Sequence, residues 1–427
     1  MGGTLPSPDQ SSEVTPPSRR KGRPIVLVSA VAVGVVAVVT AWWLTSSNGP
    51  LGKDSGDGGQ AGASRIKELA QLDGNGVAVD SSGGDPADPA GDGNAVCLPL
   101  SIATAVALTG PNVMRDSSIR NGAQLAVDKH NAANPGCQVQ LKLFDTAGDP
   151  AVAAGVVPEI VEDTYTVGVI GPSSAAEVVA MGGLFRDAGV VAATPSATEN
   201  ALSENGWGTF FRGLANDGVQ GLSVANYMKG ARGYRSVCVV DDGSDYGREL
   251  AGAVRQGLGP AARPDCGVSV AVDNGDPTSA VSRVDAVNPD AVFYAGHSGP
   301  AADFVTRLRE GGVTATFVGG GASKDAAFAE RAGDAANGSL LSCGCAPATG
   351  PFAEDYSQRF GARPASFAAE AYDLATIMLK GIDRGINTRP ALLDFMHTYD
   401  GLGTAGRYQW TESGELTAPS IWIYEVQ

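Results

Sequence analysis

The chain has 427 residues, with 46 acidic against 30 basic side chains and a formal net charge of −16. A surface this acidic is a poor partner for nucleic-acid phosphates, which need basic contacts, while 43% hydrophobic content is ordinary for a globular core. Three scattered histidines, and six cysteines without zinc-ribbon or CxxC spacing, leave no metal site to expect and none is assigned; no cofactor motif is present either.

Residues 1–24 are rich in Pro and Ser and close on a basic cluster, Arg19, Arg20, Lys21 and Arg23, which reads as a disordered cytoplasmic tail. Ile25–Leu44 is uncharged and almost wholly apolar. Its roughly 20 residues would extend about 30 Å as a helix, one bilayer core, so residues 25–45 are expected to be a transmembrane helix. The basic flank sets the N-terminus inside, and Trp42 and Trp43 suit the outer interface. No clean small-x-small cleavage site follows, and the run is long for a signal peptide. A retained signal-anchor is therefore the expectation, and a cleaved signal the alternative. No cysteine lies near enough for a lipid anchor. Residues 46–96 read as a disordered Gly/Asp/Ser/Pro linker with a reach of roughly 40 Å. Within it Asp73–Gly76 follows a short helical pattern and hints at a calcium loop, but the later ligand positions are missing.

From Cys97 the pattern becomes regular. Strands are expected at Thr104–Leu108, Gln140–Phe144, Val167–Ile170 and Val190–Ala193, alternating with helices at Ile119–Ala132, Val152–Glu162 and Val178–Ala188. A second series runs from helix Val219–Lys229 through strands Ser236–Val240, Val268–Val272, Ala291–Tyr294 and Thr316–Val318. Its helices are Gly247–Leu258, Ala280–Val287 and Ala301–Gly311, and Ser366–Ile382 is a later helix. Such alternation predicts βαβ units, parallel sheets and two doubly wound α/β lobes. Gly171–Ala176 and Thr194–Thr198 then lie side by side at the carboxyl ends of neighbouring strands, where open α/β sheets bind ligands. Cys97 and Cys137 precede consecutive strands, and Cys238 and Cys266 lie in or just before another pair, so each pair can bridge locally. Cys343 and Cys345 would close a tight ring; all 15 connectivities remain open.

Seven segments in order carry a family resemblance: ALTGP at Ala107–Pro111, NGAQLAV at Asn121–Val127, FDTAGDP at Phe144–Pro150, VIGP at Val169–Pro172, TPSAT at Thr194–Thr198, DYG at Asp245–Gly247 and WTESG at Trp410–Gly414. Over about residues 100–427 the chain resembles the branched-chain amino-acid (leucine/isoleucine/valine) binding proteins of ABC importers. The resemblance implies a type I periplasmic binding-protein fold, with two lobes joined by three crossings and a ligand enclosed by hinge motion. Lobe 1 would hold residues of about 97–216 and 345–400, and lobe 2 about 217–344 and 401–427.

Carried over residue by residue, the resemblance implies a ligand site at Ser174, Ala175, Ser196, Ala197, Thr198, Tyr246, His297, Gly321, Arg115 and Phe367. Ala175 stands where the family has a serine, His297 fills an aromatic slot, and Arg115 replaces a tyrosine. Gly321 stands where an acid would pair the ligand ammonium, leaving Asp325 or Asp242 as substitutes. A buried ammonium without a carboxylate is expensive, so Gly321 argues against an unmodified amino acid unless such an acid moves in. Arg115, Ser196 and Thr198 favour an anionic or carboxylate ligand.

No GxSxG, HExxH or Walker A pattern is present, and nothing in sequence pairs Asp145, Asp241 and Asp242, so an enzyme is not expected. The expected function is a membrane-tethered receptor, single-pass in the cell membrane with its binding domain outside the cytoplasm. It would bind an amino acid or small carboxylate and deliver it to an ABC permease. The alternative is a ligand-sensing ectodomain working with a membrane sensor partner.

Overall fold

The computed structural model describes residues 65–79, 85–270 and 277–427. The expected tail (1–24), the expected span (25–45) and the first part of the linker lie outside the described residues. Among the described residues no helix is long and apolar enough to cross a membrane.

Two sheets organise the chain. The first contains five parallel strands in the order β3-β2-β4-β5-β6: β2 (Leu100–Val106), β3 (Val139–Asp145), β4 (Thr166–Ile170), β5 (Val191–Thr194) and β6 (Phe210–Arg212). Its strands read as continuous apolar runs because helices cover both faces; every residue of β2 and β4 is buried. The helices are α1 (Val113–Ala133), α2 (Pro150–Glu162) and α3 (Ala175–Asp187).

The second sheet has seven strands in the order β1-β14-β11-β10-β9-β7-β8. Its parallel part is β7 (Val237–Asp241), β8 (Val268–Ser269), β9 (Ala291–Ala295), β10 (Thr316–Gly319) and β11 (Leu340–Cys343). The helices of this lobe are α4 (Asp217–Lys229), α5 (Asp245–Leu258), α6 (Thr278–Val287), α7 (Ser298–Glu310) and α8 (Ala326–Ala332). The chain then returns to the first lobe through α9 (Gly350–Phe360), α10 (Ala368–Asp383) and α11 (Arg389–Thr398). Residues of all three pack into the core around β2 and β4.

Two boundaries differ from expectation. The linker is not wholly unstructured: β1 (Ile66–Leu72) pairs antiparallel with β14 (Ile421–Val426), which itself runs antiparallel to β11. Leu72 is fully buried, and the Arg65 guanidinium donates to the carbonyls of Ala329, Gly333 and Gln427. The segment reads as helical because Ile66 and Leu72 are sparse anchors among charged residues, whereas an edge strand needs only one covered face. Asp73–Val77 is a turn, not a calcium loop: Asp73 Oδ1 accepts the amides of Asn75 and Val77. Residues 87–95 also dock, through Ala87 to Leu402 and Asn134 to Ala90 and Ala95.

The second difference lies in residues 401–420. β12 (Gly401–Leu402) and β13 (Arg407–Tyr408) form their own small sheet. Tyr408 and Trp410 are buried in the first lobe's core, where Trp410 Nε1 donates to the Arg212 carbonyl. Only β14 belongs to the second sheet. These aromatics sit beyond the helical pattern in a stretch with no clear period, so the sequence assigns them to the wrong lobe.

Three disulfides are formed: Cys97–Cys137, Cys238–Cys266 and Cys343–Cys345. The first two join segments at the same ends of parallel neighbours. The third lies where the chain leaves β11 for the first lobe.

Candidate ligand-binding site

Each sheet reverses its strand order once, between β2 and β4 in the first lobe and between β7 and β9 in the second. Loops leaving adjacent strands there diverge to opposite faces and open a crevice at the carboxyl ends. The expected site residues other than Phe367 lie on the loops and helix starts around these two points.

In the first lobe, Ser173 follows β4 and is 1% exposed. Its hydroxyl donates to Asp116 Oδ2 at 2.6 Å and accepts from Arg115 Nη2 at 3.0 Å, while Arg115 Nε bonds Asp116 Oδ1 at 2.7 Å. Arg115 is thereby drawn to the loop from the start of α1. Ser174 caps α3 in a reciprocal capping box with Glu177. Its hydroxyl is spent on that cap. The first amides of α3, at Ala175 and its neighbour Ala176, lack intrahelical partners by helix geometry and lie at the positive end of the dipole. Ala175 therefore offers a backbone donor in place of the missing serine hydroxyl.

The loop after β5 is fastened to the first. Ser196 Oγ donates to the Ser173 carbonyl at 2.7 Å. The Ala197 amide donates to Thr194 Oγ1, and its carbonyl accepts from Arg212, so the backbone polar groups of Ala197 are occupied within the protein. Arg212 is fully buried and paired with Glu415 at 2.9 Å. Thr198 Oγ1 donates to Asp217 Oδ2 at 3.1 Å, and the Thr198 carbonyl accepts the Asp217 amide.

In the second lobe, Asp242 follows β7 and His297 follows β9. His297 Nδ1 lies 2.8 Å from Asp242 Oδ2, and the His297 amide donates to the same oxygen. Burial would raise the Asp242 carboxyl, but His297, Ser244 and the backbone amides outweigh it and hold it at about 2. Tyr246 meets the His297 ring edge-on at 6.0 Å between centroids. Its hydroxyl accepts the Ala322 amide at 3.0 Å; burial, then the Asp217 charge, push its ionisation up. Gly321 faces the same place: a Cβ there would lie 3.4 Å from Gln220 Oε1 and 3.6 Å from the Tyr246 hydroxyl.

Neither acid expected to replace a carboxylate at Gly321 is free to do so. Asp242 is buried beneath His297, and Asp325 is exposed as the cap of α8. The group that faces the site is Asp217, in the first turn of α4, 1% exposed. Its Oδ1 has no hydrogen-bond partner among the described residues. Burial, with added repulsion from Glu249 and Glu199, raises its carboxyl to about 7 against the Thr198 bond and Arg212. The sequence conceals this role, since an acid at a helix start is ordinarily a dipole partner. Gln220, one turn on, bonds the Ser342 carbonyl and hydroxyl and orients that turn toward Gly321.

Phe367 precedes α10 with φ of +72° and packs against the cores of both lobes. It stands where they meet. A small cavity lies away from these loops, lined by Gly213, Gly344, Glu370 and Tyr408 among others.

Residues 99–427 match the model of a family described as periplasmic binding protein. A Leu/Ile/Val-binding protein homolog of Brucella melitensis is 26% identical over 344 residues, covering 78% of this chain and 93% of its own length. The leucine-, isoleucine-, valine-, threonine- and alanine-binding protein of Pseudomonas aeruginosa is 25% identical over 341 residues, covering 76% of this chain and 89% of its own. Among solved structures, the substrate-binding protein LivJ of Streptococcus pneumoniae, in complex with isoleucine, superposes with a TM-score of 0.68 at 23% identity, over 76% of this chain and 95% of that one. A solute-binding protein from R. palustris in complex with benzoate superposes with a TM-score of 0.65 at 16% identity, over 77% of this chain and 94% of that one.

Proposed function

Because the chain belongs to the periplasmic binding-protein family, we propose that it is the extracytoplasmic receptor of an ABC importer and that its ligand is an amino acid. The ligand carboxylate sits against the amides at Ala175 and Ala176 and the Thr198 loop. The ammonium sits against Asp217, with Tyr246 and the space at Gly321 completing the enclosure. The observation that carries this reading is the unpartnered, buried Asp217 Oδ1 beside Thr198. A buried carboxylate left without a partner is costly, and a ligand cation relieves that cost. Relatives bearing branched-chain names, and a neighbour holding isoleucine, support an amino acid; the neighbour holding benzoate marks the competing class, a carboxylate without an amine.

The test is thermal unfolding of the purified full chain with leucine, glutamate and benzoate. Binding to the folded state at 100 times the dissociation constant adds about 2.7 kcal/mol. An amino acid should raise the melting temperature in a concentration-dependent way, and Asp217→Asn should abolish the rise. A rise with benzoate alone contradicts the amine site.

Residues 25–45 tether the receptor as a single retained span, with the N-terminus inside. Extraction of the protein by alkaline carbonate contradicts the tether. Co-purification with a permease supports transport over a sensing ectodomain; a signalling partner in its place supports the alternative.

A further inference from the structure

Lys324 lies between β10 and α8, three residues beyond Gly321. Its ammonium crosses to the first lobe, where it donates to Ser366 Oγ at 3.2 Å, and it rests 4.5 Å from the centroid of the Tyr424 ring. Among the described residues it makes no ion pair. Burial pulls it down to about 8 against the attraction of Glu370 and Asp325. Glu370 Oε1 accepts the Ala346 amide and its Oε2 has no hydrogen-bond partner among the described residues, so the two groups attract without bonding.

Arg115, whose guanidinium is held by Asp116 and Ser173, lies in the first turn of α1. Ser118 follows it by one turn of α1, about 4.5 Å along the axis, and Ser118 Oγ accepts the Ala365 amide at 2.9 Å. Residues 365–367 are thus tied to α1 through Ser118 on one side and to the Lys324 ammonium on the other, with Phe367 packed against both cores. An aliphatic ligand tail calls for an apolar lining and gains nothing from a half-buried cation without an ion pair, whose partial desolvation costs free energy. An anionic tail offsets that cost.

Resting on the amino-acid reading above, we propose that Lys324 accepts an acidic group at the far end of the ligand. The cleft then selects an amino acid with a carboxylate side chain over one with a branched aliphatic side chain.

The test is calorimetric titration of the full chain with L-glutamate, L-aspartate and L-leucine, repeated with Lys324→Met and Lys324→Arg. For a charge pair shielded from water, removing the cation is expected to weaken binding of the acidic amino acid by ~10-fold or more. Leucine binding should be unchanged in Lys324→Met, which also shows that the variant is folded, and Lys324→Arg should retain most of the acidic affinity. If the unaltered chain binds leucine but neither acidic amino acid, the subsite is overturned and the receptor reading stands. If it binds none of the three, both fall. Equal loss of leucine and glutamate in Lys324→Met assigns the lysine to packing and likewise overturns the proposal.

Discussion

The two walls of the cleft are held in different ways. On the first-lobe wall nearly every polar side chain is already satisfied: Ser173 by Asp116 and Arg115, Ser174 by Glu177, Ser196 by the Ser173 carbonyl. On the opposite wall and at the lobe junction, Asp217 Oδ1 has no hydrogen-bond partner and the Lys324 ammonium no ion pair among the described residues, and Gly321 carries no side chain. The difference separates two tasks. In the proposed reading the first wall is the frame that presents backbone donors to a ligand carboxylate. In that reading selection among carboxylates is left to the second, whose charged groups define what a ligand must bring to them.

The largest expected effect breaks the second wall. Asp217→Asn should weaken amino-acid binding at least ~100-fold, about 3 kcal/mol, as expected when one partner of a buried charge pair is lost. The same change should stabilise the empty protein. The folded carboxyl titrates at about 7, above its ordinary value of 3.8. Folding therefore favours the protonated form, and the protein loses stability as pH rises from 3.8 to about 7. At pH 8 the penalty is complete, on the order of 4 kcal/mol at 1.36 kcal/mol per unit. Urea unfolding at pH 8 should show the variant more stable, and the gain should vanish near pH 4.

Ser173→Ala strikes the first wall. It removes a buried hydroxyl bonded to both Asp116 and Arg115, which should cost about 1–3 kcal/mol of stability. Chemical denaturation checks the cost, and the ratio of leucine to glutamate affinity should stay unchanged. A shifted ratio would join the two walls into one selective surface.

A pH series sharpens the contrast. Ligand ammonium requires ionised Asp217, so affinity should fall toward tenfold per unit as pH drops below about 7 and level off above it. The slope should disappear in Asp217→Asn. The smallest effect is that of Ser174→Ala, which removes the cap of α3 and should cost about 1 kcal/mol. Its effect on binding should follow only from the loosened amides at Ala175 and Ala176.

What the sequence discloses follows the same division. Apolar runs alternating with helical patterns place β4 and β5 side by side, so the first wall's loops are legible as neighbours before any contact is known. Tyr246 and His297 are legible because each ends or follows a regular strand. Asp217 is not, for its ionic neighbours Arg212 and Glu249 and its partner Thr198 come from separate turns of chain, and its own position fits an unremarkable helix start. Arg212 finds Glu415 across 203 residues, a pairing no local pattern records. The β1 strand is hidden by its composition, and a truncation beginning at Cys97 would strip it from β14 and expose that edge.

The proposed contact between Asp217 and the ligand ammonium can be read directly from proton exchange. Calorimetric titration of the full chain at pH 7 with L-leucine and L-glutamate, in two buffers of different ionisation enthalpy, measures the protons released on binding. Near its titration point the empty carboxyl is about half protonated. Release of about half a proton per ligand is expected, lost in Asp217→Asn together with most of the affinity. Binding with no proton release, and undiminished in Asp217→Asn, would contradict it.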